Sequence, residues 1–171
     1  IRENLQNNIL PFIGTKNEKT SMESEDDLAN SISYQYLQAE RFGPRDNLPL
    51  SDDTRGWDWL GTKGEFTLEV LENLRTTKRQ HFEVADTGKI DPRQHPSLSV
   101  SELFRNIEAW MGEISPGYKM NPTKVNNANI SYNSIDTGDG NLTKPINIGF
   151  GYSYALGIVS ALILSPKERV V

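Results

Sequence analysis

The chain contains no cysteine and only two histidines, His81 and His95, among its 171 residues. Without cysteine there is no disulfide scaffold, no thiolate metal site and no cysteine nucleophile. The two histidines lie in polar stretches, with no serine elbow or carboxylate pattern nearby. We therefore expect both on the surface, and neither zinc nor acid–base chemistry is indicated.

Long apolar runs are missing as well. No run reaches the roughly 18 residues that a membrane-spanning helix needs, and no secretory signal opens the chain. We therefore expect no membrane partner and a cytoplasmic location.

The chain is long enough to form one domain with a hydrophobic core. Three tryptophans, six tyrosines and six phenylalanines are too many for a disordered segment. The formal net charge is −5, and the acidic excess lies in the first third of the sequence. Because a polyanion would be repelled there, we expect no nucleic-acid partner through this segment.

Three stretches have patterns typical of helices. Capping-box spacing at residues 62–65 and again at 99–102 precedes apolar stripes with helical spacing. The first stripe consists of Phe66, Val70, Leu71 and Leu74, and the second of Leu103, Ile107, Trp110, Met111 and Ile114. Residues 154–164 are almost wholly apolar, which predicts a helix buried on every side, with Ser153 as its N-cap and Pro166 after its end.

Alternation of apolar and polar residues predicts strands. Residues 33–39 alternate before a turn at Gly43 and Pro44, and residues 118–125 and 128–135 have the pattern of a hairpin. Residues 14–27, 46–61 and 76–98 are polar and lack periodicity, so we predict loops there. The predicted fold class is α+β, with mixed strands.

Two glycine-containing stretches resemble phosphate sites. Residues 14–20 imitate a P-loop, but Glu18 stands where the motif has glycine, and its carboxylate would repel the phosphates. Residues 147–153 lie directly before the apolar helix, where Gly149 and Gly151 allow consecutive amides to point into one concavity. The helix N-terminus adds partial positive charge, so this stretch is a candidate phosphate site. The alternative is a glycine turn that only lets a crowded helix pack.

The stretch NIGFGYSYALGIVSALIL at residues 147–164, with the SPKERVV that follows, resembles the signature region of bacterial SMC-like, ABC-class ATPases of the RecF and overcoming-lysogenization-defect type. Residues 36–45 resemble the same family's strand-and-turn segment, and residues 61–65 and 107–117 stand in the family's order. The resemblance covers about residues 34–171. It departs from the ordinary ABC signature because Tyr154 follows the serine and no glutamine comes after it.

The resemblance implies that the chain is the middle of a longer P-loop NTPase, as a fragment of an α/β ATPase head with a buried signature helix. The head would comprise an acidic segment at 1–33, a strand and two amphipathic helices at 34–125, and a hairpin, signature loop and buried helix at 126–171. The P-loop would precede residue 1, and the Walker B acidic pair would follow residue 171. The fragment alone would hold no nucleotide and would be inactive.

The family's chemistry implies ATP and Mg²⁺ in the complete protein, bound between two copies of the head. The positions implied for contact with the γ-phosphate of the other copy's ATP are Asn147, Gly149, Gly151 and Ser153. Arg41 and Arg45 would assist near the nucleotide, unless they are salt-bridged. No catalytic residue and no metal ligand is expected in this chain. A nuclease effector, and roles in phage defence, DNA repair or toxin control, are compatible with the family.

Two other classes of function are alternatives to the ATPase. The chain could be a non-enzymatic α+β interaction module whose Trp57, Trp59 and tyrosines serve a protein or carbohydrate surface. A standalone hydrolase has no nucleophile–base pair to support it.

Overall fold

The structure of the protein is a computed structural model that describes residues 35–52, 56–77, 80–82 and 90–165. All of them belong to the second of the two units into which the chain divides, Tyr34–Val171, the first being Ile1–Ser33. The predicted loop at residues 14–27, with the P-loop imitation inside it, and the predicted Pro166 stop lie outside the described residues.

The described strands form one four-stranded antiparallel sheet. They are β1 (Leu48–Pro49), β2 (Lys119–Val125), β3 (Ile130–Asp136) and β4 (Leu142–Thr143). β2 and β3 pair along their whole length, from Lys119 opposite Asp136 to Val125 opposite Ile130. This register confirms the predicted hairpin, whereas β1 lies within the stretch predicted as a loop at 46–61.

β3 is the central strand of this sheet. β1 pairs with residues 130–131 and β4 with residues 135–136, so the two short strands lie at opposite ends of the same edge of β3. β2 occupies the other edge of β3 and is itself an edge strand among the described ones. An edge position is where a strand tolerates an internal proline, here Pro122.

Three α-helices complete the described fold: α1 (Thr67–Thr77), α2 (Leu103–Ile114) and α3 (Phe150–Leu164). α1 packs on β2 and β3, and α2 packs on α3. The core draws side chains from the helices and the sheet, and Leu71, Ile107 and Ile135 are fully buried in it. Helices packed on an antiparallel sheet confirm the α+β class.

α1 is present as predicted, but its capping box is not. The box predicts that Thr62 accepts a hydrogen bond from the amide of Glu65. Instead the Glu65 carboxylate accepts one from the backbone N–H of Lys63 at 2.7 Å, and the helix begins at Thr67. Val70, Leu71 and Leu74 of the predicted stripe are buried, and the helix continues to Thr77, just inside the predicted loop.

α2 is also present without its predicted box. Its N-cap is Glu102, which makes no side-chain capping bond. The buried Asn106 donates instead to the carbonyl oxygens of Val100 and Glu102, at 3.1 and 2.8 Å. A polar side chain one turn inside the helix thus anchors the segment that leads into it.

α3 differs from the prediction at both its start and its surface. It begins at Phe150, capped by Gly149 with a φ of 107°, so Ser153 lies inside the first turns and is not the N-cap. Glycine adopts this positive φ without the steric cost that other residues have. The helix is not buried on every side, because Phe150, Ile158 and Leu162 are exposed.

The strand predicted at residues 33–39 is absent across its described part, residues 35–39. The buried Gln35 side chain explains the difference. Its amide donates to the carbonyl of Gly61 and accepts from the amide of Leu60, both at 3.0 Å. A side chain and one backbone bond, from Gln38 to Thr62 at 2.8 Å, therefore join this segment to its neighbour where a strand ladder was expected.

Candidate functional site

A cavity of about 50 Å³ lies among the start of α1, β3, α3 and the segment at residues 41–45. The polar and charged side chains that line it are Arg41, Arg45, Lys63, Thr67, Asn133, Tyr152 and Ser153. Three of these carry positive charge, and no aspartate or glutamate belongs to the lining. The cavity is therefore suited to a small anion.

The two arginines are held at the cavity by aromatic rings and a backbone carbonyl. Arg41 donates through Nη1 to the carbonyl of Gln38 at 3.3 Å, and its guanidinium lies 5.5 Å from the centre of the Tyr154 ring. Arg45 stacks on Phe42 at 4.3 Å. Within the described part of the chain neither arginine forms an ion pair with a carboxylate, so both retain charge for a ligand.

Two uncharged side chains of the lining are almost fully buried. Thr67, in the first turn of α1, is 4% exposed, and Asn133, in the middle of β3, is 2% exposed. The Thr67 hydroxyl and the Asn133 Nδ2 both lack a hydrogen-bond partner among the described residues, as does the buried Nε of Arg41. Buried polar atoms without a partner are rare in folded proteins and call for an explanation.

Tyr152 adds a neutral hydroxyl to the same lining. Burial, and next the nearby charge of Glu108, raise the pKa of Tyr152 above its ordinary value. The pKa of the Glu108 carboxyl is itself raised by burial, although a backbone bond at Met120 and two basic neighbours oppose the rise. At neutral pH the phenol therefore keeps its proton and brings no negative charge to the cavity.

Of the predicted phosphate-binding stretch at residues 147–153, only Tyr152 and Ser153, both within α3, line this cavity. Asn147 and Gly151 are exposed, and Gly149 is half-buried. The amides of Ile148 and Gly149 both donate to the carbonyl of Pro145, at 3.0 and 3.4 Å, so they are already used within the turn. The amides that α3 leaves without an intrahelical partner are those of its first residues, Phe150 onward.

The residues predicted for phosphate contact therefore fall into two groups. Arg41, Arg45 and Ser153 line one cavity, although Ser153 is more than 100 positions from both arginines in the sequence. Asn147, Gly149 and Gly151 do not line it. A β-carbon at Gly151 would meet nothing within 4 Å, so close packing does not require glycine at this position.

Sequence reasoning missed Thr67 and Asn133. One signal for Asn133 was available, because the two-residue period of the predicted strand places it on the same face as Ile135, where an apolar side chain is expected. A lone asparagine at such a position indicates either a structural bond or a ligand. Thr67 stands at the start of an ordinary amphipathic helix and gave no comparable signal.

His95 is not the surface residue that the sequence predicts. It is 6% exposed, with its Nδ1 2.7 Å from the Ser97 hydroxyl and its Nε2 3.3 Å from Glu113. Its backbone amide donates to the buried Asn106 at 2.7 Å, which holds this loop against α2. His81 is exposed, as predicted. Neither histidine lines the cavity.

Across residues 35–52, 56–77, 80–82 and 90–165 no three or more acidic or histidine side chains are grouped in a way that could hold a metal ion. No helix within these ranges combines the length and the apolar character needed to cross a membrane. Comparison with known proteins finds no family model, no curated protein and no solved structure that matches the chain.

Proposed function

We propose that this chain is a segment of an SMC-like, ABC-class ATPase and supplies phosphate contacts to a composite ATP site. The observation that supports the proposal is the meeting of Arg41, Arg45 and Ser153 at one cavity beside the start of α3. All three positions belong to segments that resemble this family. Cations and hydroxyl donors arranged in advance around a transferring phosphoryl group stabilise the charge that develops on it.

The size of the cavity limits what this chain could hold. About 50 Å³ is far below the roughly 300 Å³ of the smallest ordinary ligand pockets, so the nucleoside of ATP would lie elsewhere. Only the terminal phosphate of ATP would reach the cavity. Asn147, Gly149 and Gly151, around the start of α3, would lie close to a second copy of the head. The described residues contain no group of three or more acidic or histidine side chains that could hold Mg²⁺, and in this proposal other parts of the complete protein bind the ion.

The decisive experiment uses the complete protein and measures ATP hydrolysis. Gly151→Asp places a carboxylate where the phosphate would approach, and it suits the fold, since acidic residues are favourable in the first turn of a helix. We expect hydrolysis to fall about 100-fold, as when a transition-state donor is lost. Ser153→Arg should have the same effect by filling the entrance of the cavity.

The matched control is Gly112→Asp, in α2, where a β-carbon likewise meets nothing within 4 Å. It introduces the same charge on a helix that contributes no residue to the cavity lining. Its hydrolysis should equal that of the wild type. Wild-type turnover in Gly151→Asp and Ser153→Arg would refute the assignment of the signature loop.

A second candidate function, the non-enzymatic interaction module, is favoured by a different surface. Trp57 is 49% exposed and lines a groove of about 270 Å³ with Trp59, Glu69 and Asn73. Exposed tryptophan is enriched where proteins bind partners. If this function applies, Trp57→Ala should abolish binding to a protein or oligosaccharide while the two α3 variants retain it. The coding sequence beyond Val171 also distinguishes the two, because an apolar strand followed by an acidic pair is expected only for the ATPase.

A further inference from the structure

We propose that the cavity between Arg41, Thr67 and Asn133 is an oxyanion site that this chain completes by itself, and that it takes a free tetrahedral anion of the size of inorganic phosphate. The proposal goes beyond the composite ATP site, because the cavity needs no second copy of the chain and no part of a longer protein. The proposal also does not depend on whether the complete protein hydrolyses ATP.

The buried atoms without partners are concentrated at this cavity. Among the described residues five side chains have such an atom, and three of the five, Arg41, Thr67 and Asn133, belong to the lining. The other two, Arg75 and Ser160, do not line it. Leaving a buried polar atom unpaired is unfavourable, so three at one cavity indicate that a ligand pairs with them.

The unpaired atoms at the cavity can all act as donors. The Nε of Arg41 carries a proton at any physiological pH, and the Thr67 hydroxyl donates freely. The orientation of Asn133 is fixed by the sheet, since its Oδ1 accepts from the backbone amide of Asn121 at 3.0 Å. Its Nδ2 is therefore the free end, and the missing partner must be rich in acceptors.

Charge favours an anion over water as that partner. The Nε of Arg41 is buried, and no described carboxylate pairs with its guanidinium. Arg41 is half-buried, and a partly desolvated cation without a counter-charge costs more free energy than a neutral group in the same place, a charge that a water molecule cannot compensate. Lys63 and Arg45 add positive charge to the same lining.

The volume sets the size of the anion. A single water needs roughly 15 Å³, so a cavity of about 50 Å³ has room for a group of a few heavy atoms. Phosphate and sulfate are of this size and present oxygens in four directions, which suits donors on separate elements. A nucleoside does not fit.

The test is a thermal-denaturation and ³¹P NMR titration of the 171-residue chain with inorganic phosphate, at constant ionic strength maintained with sodium chloride. We expect a saturable rise in Tm with phosphate and with sulfate, because a ligand that binds only the folded state stabilises it. ATP is the second arm, and it should protect only at higher concentration than phosphate.

Two near-isosteric variants and one control locate the site. Thr67→Val removes one unpaired hydroxyl, so it should leave the phosphate-free Tm unchanged or higher while weakening phosphate binding about tenfold. Asn133→Asp keeps the Oδ1 acceptor and places a carboxylate in the lining, so phosphate binding should vanish. Ser160→Ala removes another buried, unpaired hydroxyl outside the lining, and its phosphate affinity should equal that of the wild type.

Three results would overturn the proposal. The first is a wild-type Tm that does not respond to phosphate beyond the chloride control. The second is equal phosphate affinity in Thr67→Val and Ser160→Ala, a comparison that does not depend on whether Asn133→Asp folds. The third is protection by ATP at lower concentration than by phosphate, which would show that this chain by itself binds the whole nucleotide and not a free oxyanion. A loss of ATP hydrolysis in the complete protein has no bearing on these measurements.

Discussion

The ring of Phe150 lies over Gly43, so close that a β-carbon at Gly43 would be 2.6 Å from the Cε1 of the ring. The contact joins the first residue of α3 to the segment that carries Arg41 and Arg45. Phe150 is 62% exposed, so its ring has room to turn away. The aromatic ring, and not a left-handed backbone conformation, is what opposes a side chain at position 43.

Gly43→Ala should therefore destabilise the chain by no more than about 1 kcal/mol, because a flexible side chain yields to the new methyl group. In a Phe150→Ala background, Gly43→Ala should leave the free energy of unfolding unchanged. A double-mutant cycle with urea denaturation measures the coupling between the two residues. Equal costs in both backgrounds would mean that the ring is not the obstacle.

Asn106→Leu should be among the most destabilising substitutions of similar volume. It leaves the buried amide of His95 and the carbonyl of Val100 without their partner, which should lower the free energy of unfolding by about 3 kcal/mol. The exposed Asn126, in the turn between β2 and β3, provides the control: Asn126→Leu should change stability by less than about 0.5 kcal/mol. Chemical denaturation of both variants compares them directly, and similar losses would contradict the role of Asn106.

Stability should fall in alkali through Tyr152. Because its pKa is raised in the folded protein, the unfolded chain loses the phenolic proton first as the pH rises above about 10, and unfolding becomes more favourable. Below that pH the protonated Tyr152 is present in both states, and stability is not reduced by its ionisation. Between pH 9 and pH 11 the wild type should lose about 1.4 kcal/mol more than Tyr152→Phe, measured by denaturation at both pH values.

Glu108→Gln checks the cause of this shift. Removing the Glu108 charge eliminates the second contribution to the raised pKa while burial remains. The alkaline loss should then begin at the same pH but end at a lower one, because the folded-state pKa is closer to normal. An unchanged profile would show that Glu108 has no influence on Tyr152.

The 171-residue chain alone should neither bind ATP tightly nor hydrolyse it. The proposed composite site needs a P-loop, a Walker B pair and a second head, and the cavity here admits only a phosphate-sized group. Isothermal titration with ATP and a phosphate-release assay measure the two properties. Turnover by the purified chain would refute its assignment as a fragment of a composite site.

The helices α1 and α2 and the β2–β3 hairpin could be predicted from the periodic spacing of apolar residues. The apolar stripes of α1 and α2 and the alternation of the β2–β3 hairpin mark the faces that are buried, except that Ile114, at the end of the α2 stripe, is 51% exposed. The start of α3 was misplaced because both Gly149 and Ser153 are acceptable caps, and the positive φ of Gly149 depends on the turn at Pro145.

Three of the errors share a cause, which is a buried polar side chain bonded to the backbone of another segment. Gln35 replaces a strand ladder, Asn106 replaces a capping box, and the same Asn106 holds His95 in the interior. These bonds join residues between 4 and 26 positions apart, and no periodic pattern in the sequence predicts them. The cavity was only partly predictable for the same reason: Arg41, Arg45 and Ser153 stood in recognisable segments, whereas Thr67 and Asn133 meet them only in three dimensions.

Pro122 in the middle of β2 has a consequence for how copies of this chain meet. Proline offers no N–H to a further strand, and the carbonyl of Pro122 already accepts a hydrogen bond from Arg75 of α1 at 3.1 Å. A strand from another molecule therefore cannot extend a continuous ladder along this outer edge, which is a common protection against edge-to-edge aggregation. If two copies of this chain associate, as the proposed ATPase requires, we expect them to do so through other surfaces and not by joining their sheets at β2.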